Sequence, residues 1–180
     1  MQRRSIIYAG CGLLCACIVT GVQAHTLYNQ WVVFRKKHLV IGSHREDLVT
    51  YQLARKIVAI LNEKLPKASA RVARAPTSGR IASLIGTAQM DVAMLSHQEA
   101  VDMAAGKGTF KPYGEIDIKA LFLAQHYVLV GRADIPDKHS WLIAHALDGS
   151  ELITSDSVEP PVPWHHGTRL YHSGKPLTDT

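Results

Sequence analysis

The stretch that decides the fold is APTSGRIASLIGTAQMDVAMLSH, residues 75–97. It opens with a turn, because Pro76 and Gly79 are residues that tight turns prefer. Thr77 or Ser78 can then cap a helix by accepting a hydrogen bond from a free backbone amide of its first turn. An apolar helical stripe follows, and a short apolar run at residues 91–95 has the length of a buried strand. The pattern therefore predicts a turn, a helix and a strand in succession.

The preceding residues predict a strand and a long helix. The run at residues 39–41 has no polar alternation, which is typical of a strand covered on both faces. Ser43 and Glu46 have the spacing of a capping box at a helix start. Pro66 marks the end of that helix, and residues 70–74 predict a second strand. The apolar residues with helical spacing are Leu53, Ile57, Ile60, Leu61 and Leu65.

The following residues continue the alternation of helices and strands. A short helix over about residues 98–105 ends at Gly106, a natural C-terminal glycine. Residues 118–124 and 127–130 are two further apolar runs. A turn around Pro136 leads into a helix whose expected buried residues are Trp141, Leu142 and Leu147. The chain then becomes polar and rich in proline.

Strands and helices alternating through short connections predict an α/β fold, with a mostly parallel sheet and helices on both faces. Ligands of such sheets bind beyond the carboxyl ends of the strands. The polar residues expected there are Ser43, Thr77, Ser78, Ser96, His97 and Gln98. Hydroxyls and amides at helix N-termini can hold a carboxylate, although helix capping alone also explains Ser43 and Ser78.

A catalytic site is not expected among these residues. Ser96 and His97 are adjacent, so at a strand end their side chains point to opposite sides and cannot act as nucleophile and base. The sequence also lacks a nucleophile elbow and a glycine-rich phosphate loop. We therefore predict no catalytic residues and no cofactor.

The N-terminus has the pattern of a secretory signal peptide. Arg3 and Arg4 precede an uncharged apolar run at residues 6–22, and small residues stand before a cleavage site at His25. The alternatives are an uncleaved membrane anchor, a twin-arginine signal and lipidation at Cys17. The prediction is a signal peptide at residues 1–24 and a periplasmic location.

Composition limits the chemistry of the remaining chain. The three cysteines, Cys11, Cys15 and Cys17, all lie in the signal segment, which excludes a disulfide framework elsewhere. Without residues 1–24 the formal charge falls from +5 to +3. This small excess suits an anionic solute and is too weak to indicate nucleic acid.

Ten histidines raise the alternative of a metal site. His165, His166 and His172 are close in sequence, and cleavage would leave His25 as an N-terminal residue with an amine beside its imidazole. No helical His-x-x-x-His pair or carboxylate with ligand spacing accompanies them. We therefore predict no metal ligands.

Four segments resemble the TAXI family of TRAP-transporter solute receptors. Residues 39–43, LVIGS, are similar to the family's first strand and its Ile-Gly-Thr/Ser loop, and residues 77–79 to its Thr/Ser-Gly turn. Residues 90–106 resemble the strand and helix that follow, with Ser96 and His97 where the family has a polar Gln-Ser pair. Residues 163–171, PWHHGTRLY, resemble its C-terminal Pro-x-His-Pro-Gly-Ala-x-x-Tyr motif.

The resemblance implies a type II periplasmic-binding-protein fold whose ligands are dicarboxylates or amino-acid-like anions. The tail motif departs from the family at His166 and Thr168, which replace proline and alanine. Family members clamp the ligand between two lobes, whereas the chain between residues 132 and 163 is too short for a second lobe. We therefore expect one lobe at residues 25–150 and a tail at 151–180 that packs back on it. Alternatively, residues 119–132 are the outgoing hinge strand.

Together these features predict a non-catalytic periplasmic receptor for a small anionic solute, with a membrane permease as the implied partner. The alternative is an interaction module that uses the face left by the missing lobe, for instance as a homodimer. A histidine-based metal-binding protein is the remaining alternative.

Overall fold

A computed structural model of the chain describes residues 38–152 and 159–176. The predicted signal peptide, including Cys17, and the N-terminal amine expected at His25 lie outside these ranges. Within them, no helix combines the length and the apolar character needed to span a membrane.

The described residues form five strands and five α-helices. Short 3₁₀ turns lie at Pro66–Ala68 and Gly108–Tyr113. In chain order the elements are β1 Val40–His44, α1 Leu48–Lys64, β2 Arg71–Ala75, α2 Ser78–Gly86, β3 Val92–Ser96, α3 His97–Ala104, β4 Ile118–Ala124, β5 Tyr127–Arg132, α4 Asp137–Leu147 and α5 His166–His172.

The strands form one mixed sheet in the order β2-β1-β3-β5-β4. Strand β1 runs parallel to both β2 and β3, whereas β5 runs antiparallel to both β3 and β4. The prediction of an α/β fold with a mostly parallel sheet is thus confirmed, with β5 as the exception. Strand β5 is reversed because only Gln125 and His126 separate it from β4, and so short a connection can join only antiparallel neighbours.

Helices cover both faces of the sheet, as predicted. On one face α1 and α4 bury Ile57, Leu61 and Ile143. On the other face α2 and α3 bury Ile81 and Met103. All five residues of β1 are buried, which explains why its apolar run has no polar alternation.

The order of the strands places a topological switch point between β1 and β3. The chain leaves β1 through α1 on one face, and it leaves the neighbouring strand β3 through α3 on the other. The two connections therefore leave the sheet on opposite faces, and we call the region between them, at the carboxyl ends of these strands, the crevice. Such crevices are where ligands of α/β sheets bind.

The capping box predicted at Ser43 and Glu46 is wrong. Strand β1 extends through Ser43 to His44, so the N-cap of α1 is Asp47, whose carboxylate accepts a hydrogen bond from Val49 N at 2.8 Å. A capping box does occur at the start of α3. There Ser96 caps the helix, and Glu99 accepts a hydrogen bond from the backbone amide of Ser96.

The caps at the ends of α2 and α3 follow the sequence pattern. Thr77 is the N-cap of α2 and accepts a hydrogen bond from Arg80 N, as one of the two predicted alternatives. Gly106 follows α3 with a positive φ of 58°, as expected of a C-terminal glycine.

The buried face of α4 was predicted incorrectly in part, because Trp141 and Leu142 are only partly buried. Its buried residues include Ile143, Ala144, Ala146 and Leu147.

Residues 159–176 pack on the edge strand β4 and on α4. Ala120 N donates to Pro163 O and His165 N donates to Ala120 O, both at 2.9 Å, which adds a short parallel bridge beside β4. Gly167 lies so close to α4 that a Cβ there would overlap the carbonyl oxygen of Asp137 and the hydroxyl of Ser140. Glycine is therefore required sterically at this crossing of α4 and α5.

This crossing generates a prediction for Gly167→Ala. The added methyl group has to push α5 away from α4, so the free energy of unfolding should fall by about 1–3 kcal/mol. Gly86→Ala is the matched control, since its Cβ would lie 3.7 Å from Ile116, an ordinary contact. That control should be neutral or stabilising by up to about 1 kcal/mol. Urea unfolding of both variants measures the difference, and equal values would contradict this account of the crossing.

Candidate functional site

The crevice at the carboxyl ends of β1 and β3 is built around His44. This last residue of β1 is only 1% exposed, and its ring lies between two carboxylates. Its Nε2 is 3.2 Å from Glu99 Oε1 and its Nδ1 is 3.7 Å from Glu46 Oε2. Neither ring nitrogen has the alignment of a hydrogen bond, so these two contacts are ion pairs when the imidazole is protonated.

The same two carboxylates bind the first turns of the neighbouring helices. Glu46 Oε2 accepts a hydrogen bond from Ser78 N, at the start of α2, at 2.8 Å. Glu99 Oε2 accepts hydrogen bonds from Ser96 N at 3.0 Å and from Ser96 Oγ at 2.9 Å. Because His44 lies between them, β1, α2 and α3 are joined at one point by charge.

Asp47 connects the crevice to the antiparallel part of the sheet. Its Oδ2 accepts a hydrogen bond from the Tyr127 hydroxyl at 2.8 Å, while its Oδ1 caps α1. Burial, the hydrogen bond to Asp47 and the nearby carboxylates raise the pKa of Tyr127 to about 12. The tyrosine is therefore a neutral hydrogen-bond donor at physiological pH.

The charges of the crevice shift the pKa values of His44 and Glu99 in opposite directions. Burial alone would lower the pKa of His44, but the contact with Glu99 and the charges of Glu99, Glu46 and Asp47 outweigh it. The net effect raises the pKa above its ordinary value of 6.5. Burial opposes ionisation of Glu99, but His44 and Ser96 outweigh it and lower the pKa of that carboxyl below 4.5. Both shifts favour an ion pair.

The structure brings three of the six predicted ligand residues to this point. Ser78 and Ser96 donate to the two carboxylates, and Thr77 caps α2 beside Ser78. The Thr77 and Ser96 hydroxyls accept from the helix amides Arg80 N and Glu99 N, at 3.1 and 3.3 Å. Both hydroxyls are thus engaged in capping.

The other three predicted residues have separate environments. Ser43 is fully buried, and its Oγ contacts Ala73 O at 3.5 Å within the sheet. His97 N donates to His126 O at 3.0 Å, and burial lowers the pKa of the His97 side chain below its ordinary value. Gln98 is exposed and donates to Asp102 along α3. None of these side chains takes part in the charged group around His44.

The sequence analysis missed the charged members of the site. These are His44, Glu46, Asp47, Glu99 and Tyr127. One signal was available in the sequence, because Ser96 and Glu99 have capping-box spacing. The contact of Asp47 with Tyr127, 80 positions later, had no local signal.

No protein-family model matches the sequence, and no curated protein matches it. The function of the crevice therefore has to be inferred from its own residues.

The histidines of the tail have structural partners. His165 Nδ1 lies 2.7 Å from Ser140 Oγ, and His166 Nδ1 lies 2.7 Å from Asp137 Oδ2. The His172 ring packs on Trp164, with ring centroids 5.1 Å apart. In residues 38–152 and 159–176 no group of three His, Cys, Asp or Glu side chains is arranged to hold a metal.

Ser140, His165 and Asp137 do not have the geometry of a catalytic triad. The serine hydroxyl and an Asp137 carboxylate oxygen approach the same nitrogen, Nδ1, at 2.7 and 3.6 Å. A triad instead requires the two groups on opposite ring nitrogens. Ser140 and His165 are also almost fully buried, so no substrate reaches them.

The pKa shifts predict how pH changes stability. The His44 contribution is complete below about pH 6.5 and is lost as the pH rises through its raised pKa. The Glu99 contribution is complete above about pH 4.5 and is lost as the pH falls through its lowered pKa. The ion pair should therefore stabilise the fold most between these two values.

A His44→Gln variant tests this window. Removing the imidazole leaves Glu99 without its partner, so unfolding should become easier by about 1–3 kcal/mol near pH 5.5. The difference from the unsubstituted chain should shrink above pH 6.5. His139→Gln, an exposed histidine in no ion pair of the described chain, is the control and should show no such trend. Urea unfolding across pH measures both, and a pH-independent loss in His44→Gln would contradict the ion pair.

Proposed function

We propose that this chain is a non-catalytic solute-binding protein that binds a small anionic solute in the crevice around His44. The supporting observation is the convergence of the starts of α1, α2 and α3 at the switch point between β1 and β3. Backbone amides and side chains at such a point can bind the charged groups of a small solute.

The carboxylates already present narrow the proposed ligand class. Glu46 occupies the amide of Ser78, where a carboxylate of the solute would otherwise bind. A dicarboxylate has to displace Glu46 and meets further negative charge at Asp47. An acidic amino acid brings an ammonium group that attracts these carboxylates, and Arg45 and Arg80, both exposed, can attract its own carboxylates. We therefore favour the acidic amino acid.

The proposal extends to the TAXI type of receptor, a periplasmic location and a membrane permease as partner. It rests on the four similar segments of the sequence and on the position of residues 77–79 and 96–97 near the crevice. The single-lobed form of the type II binding-protein fold belongs to the same proposal. One lobe covers only one side of a solute, so we expect affinities near the millimolar range, because tight pockets bury most of the ligand surface.

A Glu46→Ala variant separates the two ligand classes. Loss of its charge should weaken L-glutamate binding and strengthen succinate binding, each about two- to fivefold, since Glu46 is half exposed. Isothermal titration measures both ligands.

Glu63→Ala, on the last turn of α1 and away from the crevice, makes the same charge change and should alter neither affinity. Equal responses of both ligands to Glu46→Ala would place the site elsewhere. No heat from either ligand at millimolar concentration, with folded protein, would count against solute binding.

A second candidate function, self-association, is favoured by the exposed apolar side chains of the described residues. Leu48 and Val49, in the first turn of α1, are 56% and 40% exposed. Tyr113 is 43% exposed and lies against Gly79 in the first turn of α2. These side chains border the crevice, so a second copy docked there would cover both the apolar surface and the open side of the site.

Light scattering with size exclusion tests the dimer. A Leu48→Gln/Val49→Gln variant should weaken association at least tenfold, because the contact loses apolar surface. Leu142→Gln, a partly buried apolar residue of α4, is the control and should leave association unchanged. A chain that stays monomeric at high micromolar concentration would exclude this candidate.

A further inference from the structure

A groove of about 580 Å³ lies at the end of the sheet opposite to the His44 crevice. It borders the residues that precede β1 and β3, the end of α1 and one side of α4. Its volume is within the range of small-molecule sites. The lining residues are His38, Leu39, Lys64, Leu65, Pro66, Lys67, Ala68, Asp91, His139, Leu142 and Ile143.

The lining divides into an apolar part and a positively charged rim. The apolar part supplies most of the surface of the groove and consists of Leu39, Leu65, Pro66, Ala68, Leu142 and Ile143. This apolar part is continuous with the core between the sheet, α1 and α4. An aliphatic chain placed there would be removed from water on both sides.

The rim carries Lys64 and Lys67, with His38 and His139 nearby. Lys64 Nζ contacts only a carbonyl, Asp148 O, at 3.3 Å, and neither lysine has a carboxylate partner within the described ranges. The one carboxylate of the lining, Asp91, is paired with Arg132 at 3.6 Å. Among the described residues, the positive charge of Lys64 and Lys67 at the rim is therefore not balanced by a carboxylate partner.

We propose that this groove binds an amphipathic anion, with an aliphatic chain on the apolar floor and a carboxylate or phosphate head at Lys64 and Lys67. The inference is independent of the solute proposed for the His44 crevice. The positive charge of Lys64 and Lys67 favours an anionic ligand as the occupant.

Decanoate below its micellar concentration is the probe, with decanol and acetate as comparisons. Isothermal titration of the chain as purified from expressing cells should show decanoate binding at least tenfold tighter than either comparison, because only decanoate has both parts. A Lys64→Ala/Lys67→Ala variant should lose at least tenfold in decanoate affinity.

Lys56→Ala/Lys111→Ala removes the same charge from exposed sites outside the groove and should retain the affinity. Circular dichroism checks that both variants are folded. Equal binding of decanol, equal losses in the two variants, or no binding of either decanoate or lipid would overturn the proposal.

A second arm identifies the source of the anion. Sedimentation with phosphatidylglycerol vesicles, compared with phosphatidylcholine vesicles, detects a lipid head as the ligand. Binding to the anionic vesicles that depends on Lys64 and Lys67, without decanoate binding, would support a membrane lipid as the source. A Val33→Asp/Phe34→Asp variant tests whether the chain's own N-terminal segment occupies the groove. If decanoate bound only to this variant, that segment would be the occupant, and the proposal would be overturned.

Discussion

The placement of His44 between Glu46 and Glu99 is the interaction on which the organisation of this protein depends. Each carboxylate has a second role at a helix start, Glu46 at α2 and Glu99 at α3. A single buried imidazole therefore links the end of β1 to the starts of α2 and α3. Burying the charges of His44 and Glu99 costs free energy of desolvation. Contacts with His44 and hydrogen bonds from Ser78 N, Ser96 N and Ser96 Oγ to the two carboxylates offset this cost. A buried ion pair of this kind contributes more to the specific geometry of the fold than to its free energy of unfolding.

This constraint also limits which solutes the proposed site in the crevice could accept. Amides that would be open to an anionic solute are partly occupied by the protein's own carboxylates, so the site combines acidic groups with exposed arginines. Such a mixture suits a ligand that carries both charges. The groove at the other end of the sheet has the opposite character, with an apolar floor and two lysines that have no carboxylate partner among the described residues. The two ends of the sheet thus present different chemistry. The starts of α1, α2 and α3 meet at the carboxyl ends of the strands, whereas the end of α1 lies at the groove.

Part of the fold and of the site could be predicted from local sequence. The turn at residues 76–79, the cap at Thr77 and the strand that ends at Ser96 follow from turn residues and apolar periodicity. The capping box was placed wrongly at Ser43, since the same spacing occurs within a strand and only pairing with β2 and β3 makes β1 extend to His44. Glu99 was missed although its spacing from Ser96 carries the same signal. Strand β5 is reversed because the turn before it has only two residues, Gln125 and His126. The shortness of this turn was visible in the sequence.

The sequence by itself determined the element order, most of the apolar faces and the polar residues that follow the apolar runs of β1 and β3, because these depend on near neighbours in the chain. Only the tertiary structure decided which of those polar residues meet. His44 and Glu99 are 55 positions apart and Asp47 and Tyr127 are 80 apart, and they come together through sheet order and crossovers. The same holds for position 167, where only glycine fits because the carbonyl oxygen of Asp137, on another helix, leaves no room for a Cβ atom. Contacts of this kind depend on the packing of distant elements, which no local pattern encodes.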